Sequence, residues 1–97
     1  MSDEQLDLRP LAGLRVIEVG QLLAGPFTGT ILGYFGAEVI KVEPPKVGDP
    51  IRGWREVRNG TSLWWASLSR NKKCITLDLK TRKGQEVLKK LANTADV

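Results

Sequence analysis

Apolar and polar positions along this chain change period several times, and each change marks an element. Leu14-Arg15-Val16-Ile17-Glu18-Val19 is a short β-branched run closed by Gly20, which predicts a strand. From Pro26 to Phe35 the bulky residues Phe27, Ile31, Leu32 and Phe35 recur at helical spacing, and Gly36 sits where a helix would stop. Pro26 suits the first turn, whose N–H groups have no partner inside the helix. Glu38-Val39-Ile40-Lys41-Val42-Glu43 predicts a second strand, closed by Pro44-Pro45. Lys46 to roughly Leu63 shows no period and reads as a long loop, of the kind that usually serves or covers a site. Trp64-Trp65-Ala66-Ser67-Leu68 fits a helical turn or a short strand equally well. Cys74-Ile75-Thr76-Leu77-Asp78-Leu79 alternates as a third strand, with Cys74 read as a small core residue. Thr81 can cap a helix running to about Asn93, with Val87, Leu88, Leu91 and Ala92 on one face. Ala95-Asp96-Val97 has the character of the first residues of a further strand.

Strand, helix, strand, loop, strand, helix is a βαβ alternation. It predicts an α/β fold with a mostly parallel sheet and helices on both faces. Residues 1–13 are a polar lead-in, and residues 14–97 form one incomplete unit that stops as a new strand begins. At 97 residues the chain is one small domain. A chain this short buries only roughly 60–65% of its unfolded surface, so marginal stability is expected of it alone.

Composition narrows the class. With 41% hydrophobic and 27% charged residues the chain is globular rather than disordered. No apolar run approaches the roughly 20 residues a membrane span needs. Met1-Ser2-Asp3-Glu4-Gln5 is acidic and reads as neither a secretory signal nor a transit peptide. The single cysteine, Cys74, forms no internal disulfide and suits a reducing cytosol. The net charge is +4, with cations bunched from Arg52 onward. That excess favours anionic partners such as phosphates, or simply a solvated surface balanced elsewhere.

Three stretches carry candidate chemistry. In the turn Gly20-Gln21-Leu22-Leu23-Ala24-Gly25-Pro26, small residues let backbone N–H groups approach a phosphate or an amide beyond the strand ends; a tight turn alone also explains Gly25. Arg70-Asn71-Lys72-Lys73, leading into Leu77-Asp78-Leu79-Lys80, sets cations beside a strand end, where they hold nucleotide phosphates or form an exposed polar turn. Gly48-Asp49-Pro50-Ile51-Arg52-Gly53-Trp54 can pin its loop to the domain. Gly25, Gly29 and Gly33 recur every fourth residue, at roughly 1 kcal/mol each against alanine, and so imply close approach by the sheet or a second subunit. Glu18 and Glu43 close their strands and either bond a ribose or face solvent. The chain has no histidine, no metal-ligand spacing and no P-loop. The first turn lacks G-x-G-x-x-G, which argues against a dinucleotide-binding oxidoreductase.

In their order and spacing these motifs resemble the family III CoA-transferases of the CaiB/BaiF type. That group includes carnitine, formyl-CoA and succinyl-CoA transferases and the related α-methylacyl-CoA racemases. The resemblance is carried by Pro10-Leu11-Ala12-Gly13-Leu14-Arg15-Val16, Leu23-Ala24-Gly25-Pro26, Leu32-Gly33, Gly36 to Glu43, Gly48-Asp49-Pro50 with Arg52-Gly53-Trp54, and Arg70 to Lys73 with Leu77 to Lys80. It implies the N-terminal portion of a Rossmann-like CoA-binding domain, belonging to an interlocked homodimer. The implied reaction moves CoA from an acyl-CoA donor such as succinyl-CoA to a carboxylic acid, through an aspartyl anhydride and thioester. The family's aspartate lies downstream of the matched region, so no catalytic residue is assigned here. CoA is then a substrate, with no separate cofactor or metal and no nucleic-acid or membrane partner. The resemblance places Leu23 and Ala24 against CoA, Leu77, Asp78 and Leu79 at its adenine end, and Lys80 near its phosphates. Pro44 stands at a nucleotide-contact position that is often arginine in the family. Leu23 replaces a glutamine that some members set near the thioester. A racemase, or a non-catalytic CoA-binding or assembly remnant, remains the alternative.

Overall fold

The computed structural model describes residues 8–97; residues 1–7, the start of the polar lead-in, lie outside the described residues. In chain order the elements are β1 (Arg15–Glu18), α1 (Ala24–Tyr34), β2 (Glu38–Glu43), a 3-10 turn (Pro50–Gly53), β3 (Val57–Arg58), β4 (Thr61–Ser62), α2 (Leu63–Leu68), β5 (Lys72–Thr76) and α3 (Arg82–Ala92). Among the described residues, β1, β2 and β5 form a parallel sheet in the order β1-β2-β5. Glu18 sits opposite Lys41, and Lys41 opposite Cys74. The last residues run along the outer edge of β1: Ile17 N–H donates to Val97 O (2.9 Å) and Asp96 N–H to Arg15 O (2.9 Å). That pairing agrees with the strand-like character of Ala95-Asp96-Val97.

The core is small. Val16, Ala37 and Val39 are buried together, with Leu11, Leu14 and Leu32 packed against them. Helix α1 crosses this face with an inverted pattern. Its buried side is Pro26, Gly29 and Gly33, while Phe27, Ile31, Tyr34 and Phe35 are exposed. The helical spacing of the bulky residues thus marks the helix, but Phe27, Ile31 and Phe35 lie on its outer face while Leu32 packs on the core. The glycine stripe is explained by the sheet: a Cβ on Gly29 would collide with Glu18 Oε1, and one on Gly33 would lie 3.3 Å from Val39 Cγ2.

The long loop carries more order than its lack of period implies. Asn59 (φ 52°) and Gly60 (φ 78°) make the two-residue turn between β3 and β4. An Asn-Gly pair favours this geometry because both positions require positive φ. Ser62 then caps α2, its Oγ accepting from Trp65 N–H (3.3 Å), which settles the Trp64–Leu68 ambiguity as a helix. The third strand of the parallel sheet lies at Lys72–Thr76, starting two residues and ending three residues earlier than the alternation across Cys74–Leu79 indicates. Asp78 ends it: its Oδ1 accepts from Lys80 N–H (3.1 Å), and its carbonyl accepts from Thr81 N–H (3.1 Å) and Thr81 Oγ1 (2.7 Å). Such side-chain-to-backbone bonds turn the chain out of the ladder. Cys74 is exposed, not core, because β5 borders the sheet among the described residues. Thr81 caps α3 as expected, accepting from Gly84 N–H at 3.0 Å.

The α1–sheet contact yields a stability test. Gly29→Ala should destabilise the protein by about 2–3 kcal/mol in urea unfolding, because the added methyl must displace a buried carboxylate. Gly53→Ala meets nothing within 4 Å and should stay within about 0.5 kcal/mol of the parent.

Candidate functional site at the strand ends

Charged side chains occupy the sheet face under α1. Lys41, 1% exposed at its side chain, bonds Glu18 Oε2 (2.6 Å) from β1 and Asp49 Oδ2 (2.6 Å) from the loop. Lys72 of β5, equally buried, reaches Glu18 Oε1 (2.7 Å) and donates to Pro26 O (2.7 Å). Glu18 Oε1 and Asp49 Oδ2 meet their ammonium partners at ion-pair distance without hydrogen-bond alignment. Two cations and two carboxylates thus neutralise one another out of water. Burial pulls the Lys41 ammonium toward deprotonation, but Asp49 and Glu18 outweigh it and hold its pKa above the ordinary value. For Lys72 burial prevails over Glu18, and its pKa is lowered.

A second pair lies beside the first. Arg52 grips Glu43 through two bonds, Nε to Oε2 and Nη2 to Oε1, both 2.7 Å, and Glu43 Oε2 also accepts from Asp49 N–H (2.7 Å). The Arg52 guanidinium stacks 3.8 Å over the Trp65 ring, and Trp54 meets Trp64 edge-on at 5.2 Å. The Gly48–Trp54 stretch therefore does pin its loop. Glu18 and Glu43 neither face solvent nor offer a free carboxylate to a ribose: both are buried and held by protein cations. Lys72 is likewise withdrawn from the surface cluster that Arg70-Asn71-Lys72-Lys73 suggests, while Lys73 pairs with Glu38 at the surface (2.8 Å).

Beyond the carboxyl ends of β1, β2 and β5 lies a cleft of ≈ 270 Å³. Pro44, Leu77, Asp78, Leu79 and Lys80 all line it. Strand ends are where open α/β sheets bind ligands. Ligand cavities run to roughly 300–1,000 Å³, so this one suits one moiety of an extended ligand. Close packing holds the 77–80 wall in place: a Cβ on Gly84 of α3 would collide with Asp78 O. Leu23 and Ala24 do not line the cleft; they stand exposed at the start of α1. Val19, Gln21, Val42, Glu43 and Pro45 complete the lining, none of them among the residues the resemblance places against CoA. The clue for Gln21 was its place in the first strand-to-helix turn, where its Nε2 donates to Val19 O (3.0 Å). Lys41, Glu18 and Asp49 escaped as a group because a strand pattern does not show which polar residues face inward.

Residues 11–97 match the model of CoA-transferase family III. Succinyl-CoA–D-citramalate CoA-transferase of Chloroflexus aurantiacus is 56% identical over 90 residues, covering 92% of this chain and 22% of that protein. Human succinyl-CoA:glutarate CoA-transferase is 44% identical over 92 residues, covering 94% and 21%. Among solved structures, a CaiB/BaiF family protein of Brucella suis superposes with a TM-score of 0.79 at 39% identity, covering 90% of this chain and 24% of that one. The chain belongs to CoA-transferase family III and spans about a quarter or less of the length of these relatives.

Arg52 holds the Glu43 carboxyl below its ordinary pKa of 4.5. A carboxyl whose folded pKa is depressed contributes stability above its unfolded pKa and loses it as pH falls through the lower, folded value. Stability should accordingly decline as the pH drops below 4.5. Arg52→Met should cost about 2–3 kcal/mol at neutral pH by leaving Glu43 buried without its cation, and should flatten this acid limb. Some slope should persist from Glu38, which Lys73 and Arg15 also hold low. Urea unfolding across a pH series checks both effects.

Proposed function

We propose that this chain is the N-terminal part of a family III CoA-transferase and that its strand-end cleft receives the nucleotide end of CoA. One observation carries this reading: Pro44, Leu77, Asp78, Leu79 and Lys80, singled out as CoA contacts by resemblance, converge from separate segments on a single cleft. Pro44, Leu77 and Leu79 offer apolar wall to a base, and Lys80 at the rim offers a cation to phosphate. Leu23 and Ala24 follow the turn toward the region where the thioester would lie. Relatives named for succinyl-CoA support that donor, with a carboxylic acid as acceptor. The aspartate that takes up CoA lies outside these residues in this reading, and CoA enters as substrate with no added cofactor. A Rossmann-like domain from residue 14 onward, an interlocked homodimer and a cytoplasmic setting complete the proposal. The outward apolar face of α1, with Phe27, Ile31, Tyr34 and Phe35, supports the dimer by offering surface for other chain to cover.

Two measurements test it. The purified 97-residue chain, incubated with succinyl-CoA and a panel of carboxylates, should show no covalent CoA adduct by intact mass; an adduct would place a nucleophile within these residues and overturn the assignment. In the full-length enzyme, Lys80→Ala should weaken CoA binding by at least about tenfold in calorimetric titration, the scale of one charge-assisted phosphate bond. Lys89→Ala on α3 should leave it unchanged. Equal small effects from the two substitutions would show that the basic segment is only a solvated surface.

A further inference from the structure

The turn between β1 and α1 is held in an unfavourable shape. Leu22 has φ of 68°, the left-handed region that a branched side chain seldom adopts. Leu23 N–H donates back to Gln21 O at 3.1 Å, closing a three-residue turn centred on Leu22, a form that is rare and strained. Something must hold it, and the contact is specific: Leu22 N–H donates to Asp49 Oδ1 at 2.9 Å. The same oxygen accepts from Ile51 N–H (2.9 Å), while the other oxygen faces Lys41. Asp49 is fully buried at its side chain. One carboxylate therefore joins the inner charge cluster, the pinned loop and the strained turn.

The residues flanking Leu22 belong to the ligand face. Gln21 lines the strand-end cleft, and Leu23 leads into α1 at Ala24. We propose that Asp49 is a positioning residue for CoA: by fixing Leu22 in the left-handed conformation it presents Gln21 to the cleft on one side and the Leu23–Ala24 backbone on the other. Lys41 meets Oδ2 of Asp49, whereas the turn needs an acceptor at Oδ1. Asparagine with its amide oxygen in the Oδ1 place supplies the acceptor without the charge, at the cost of an NH2 group facing the Lys41 ammonium, and Leu22 amide exchange reports whether it takes that orientation. The ligand in this proposal rests on the CoA-transferase reading above.

The test compares Asp49→Ala, Asp49→Asn and wild type in the full-length enzyme. It uses residue-resolved amide exchange at Leu22 and calorimetric titration with CoA. Asp49→Ala should lose Leu22 protection and weaken CoA binding by about tenfold, the scale of a lost buried hydrogen bond to a charged group. Asp49→Asn should keep Leu22 protection and bind CoA within about threefold of wild type, although both variants lose the ion pair between Asp49 and Lys41 and thermal stability with it. Equal loss of CoA affinity in both variants, with Leu22 protection kept in Asp49→Asn, would overturn the proposal, since the effect would then follow the buried charge and not the turn. So would wild-type affinity in Asp49→Ala. Should Asp49→Ala not fold, or Asp49→Asn lose Leu22 protection, Leu22→Pro and Leu22→Gly take their place with every buried charge retained. Proline removes the N–H and imposes negative φ, and should cost about tenfold in CoA affinity; glycine accepts positive φ and should cost little. Unchanged binding by Leu22→Pro would overturn the proposal. A wild-type enzyme that shows Leu22 protection but no CoA binding would refute the CoA reading and the ligand named here, while leaving the Asp49–Leu22 contact established.

Discussion

An ammonium group inside a sheet constrains everything around it. Lys41 lies on the central strand with its side chain 1% exposed, so its charge has no water to rely on. Such a group persists only when counter-charges and hydrogen bonds replace hydration. Glu18 meets it from directly across on β1, and Asp49 from the loop after β2. Lys72 then balances the second oxygen of Glu18. The neutral set draws on β1, β2, β5 and the intervening loop, so it closes only when all are in register. The glycine at position 29 follows from the same constraint, because any Cβ there would occupy the space of the Glu18 carboxylate.

The cluster also determines which groups are left for a ligand. Glu43 ends β2 at the edge of the cleft, yet Arg52 and the Asp49 N–H have already filled its oxygens. Stacking of Arg52 on Trp65 carries that grip into α2. The strand ends therefore present a largely apolar wall, with Lys80 as a cation and Asp78 as a carboxylate on the lining and Glu43 already neutralised. A ribose seeking a carboxylate would therefore not find a free one in Glu43. An acidic residue at the end of a second strand is thus a poor guide to its role until its partners are known.

Much of the framework was legible in the chain itself. Short β-branched runs closed by glycine or proline marked β1 and β2, Thr81 marked the start of α3, and the βαβ order indicated a parallel sheet; these are local signals, decided by neighbours in sequence. The family motifs were legible too, since order and spacing survive in a one-dimensional string. Errors arose where a local pattern had two readings. The spacing of Phe27, Ile31 and Phe35 identified a helix but not its inner side, because glycine can pack closer to a sheet than any bulky residue. The alternation across Cys74–Leu79 ran past the true strand end, because Asp78 bonds its own neighbours and leaves the ladder.

By itself, then, the sequence determined the order of β1, α1, β2, β5 and α3, the parallel class of the sheet and the family. Only the tertiary structure decided which charges are buried and with whom. A glutamate in a strand looks the same in sequence whether it faces water or an ammonium. The difference depends on residues 23 and 54 positions away, Lys41 and Lys72 for Glu18, brought together by strand pairing. It also depends on the low dielectric between helix and sheet, which makes an unpaired charge untenable and a matched set stable. Leu22 shows the same dependence: nothing in its neighbours calls for a left-handed leucine, and an aspartate 27 residues later holds it there.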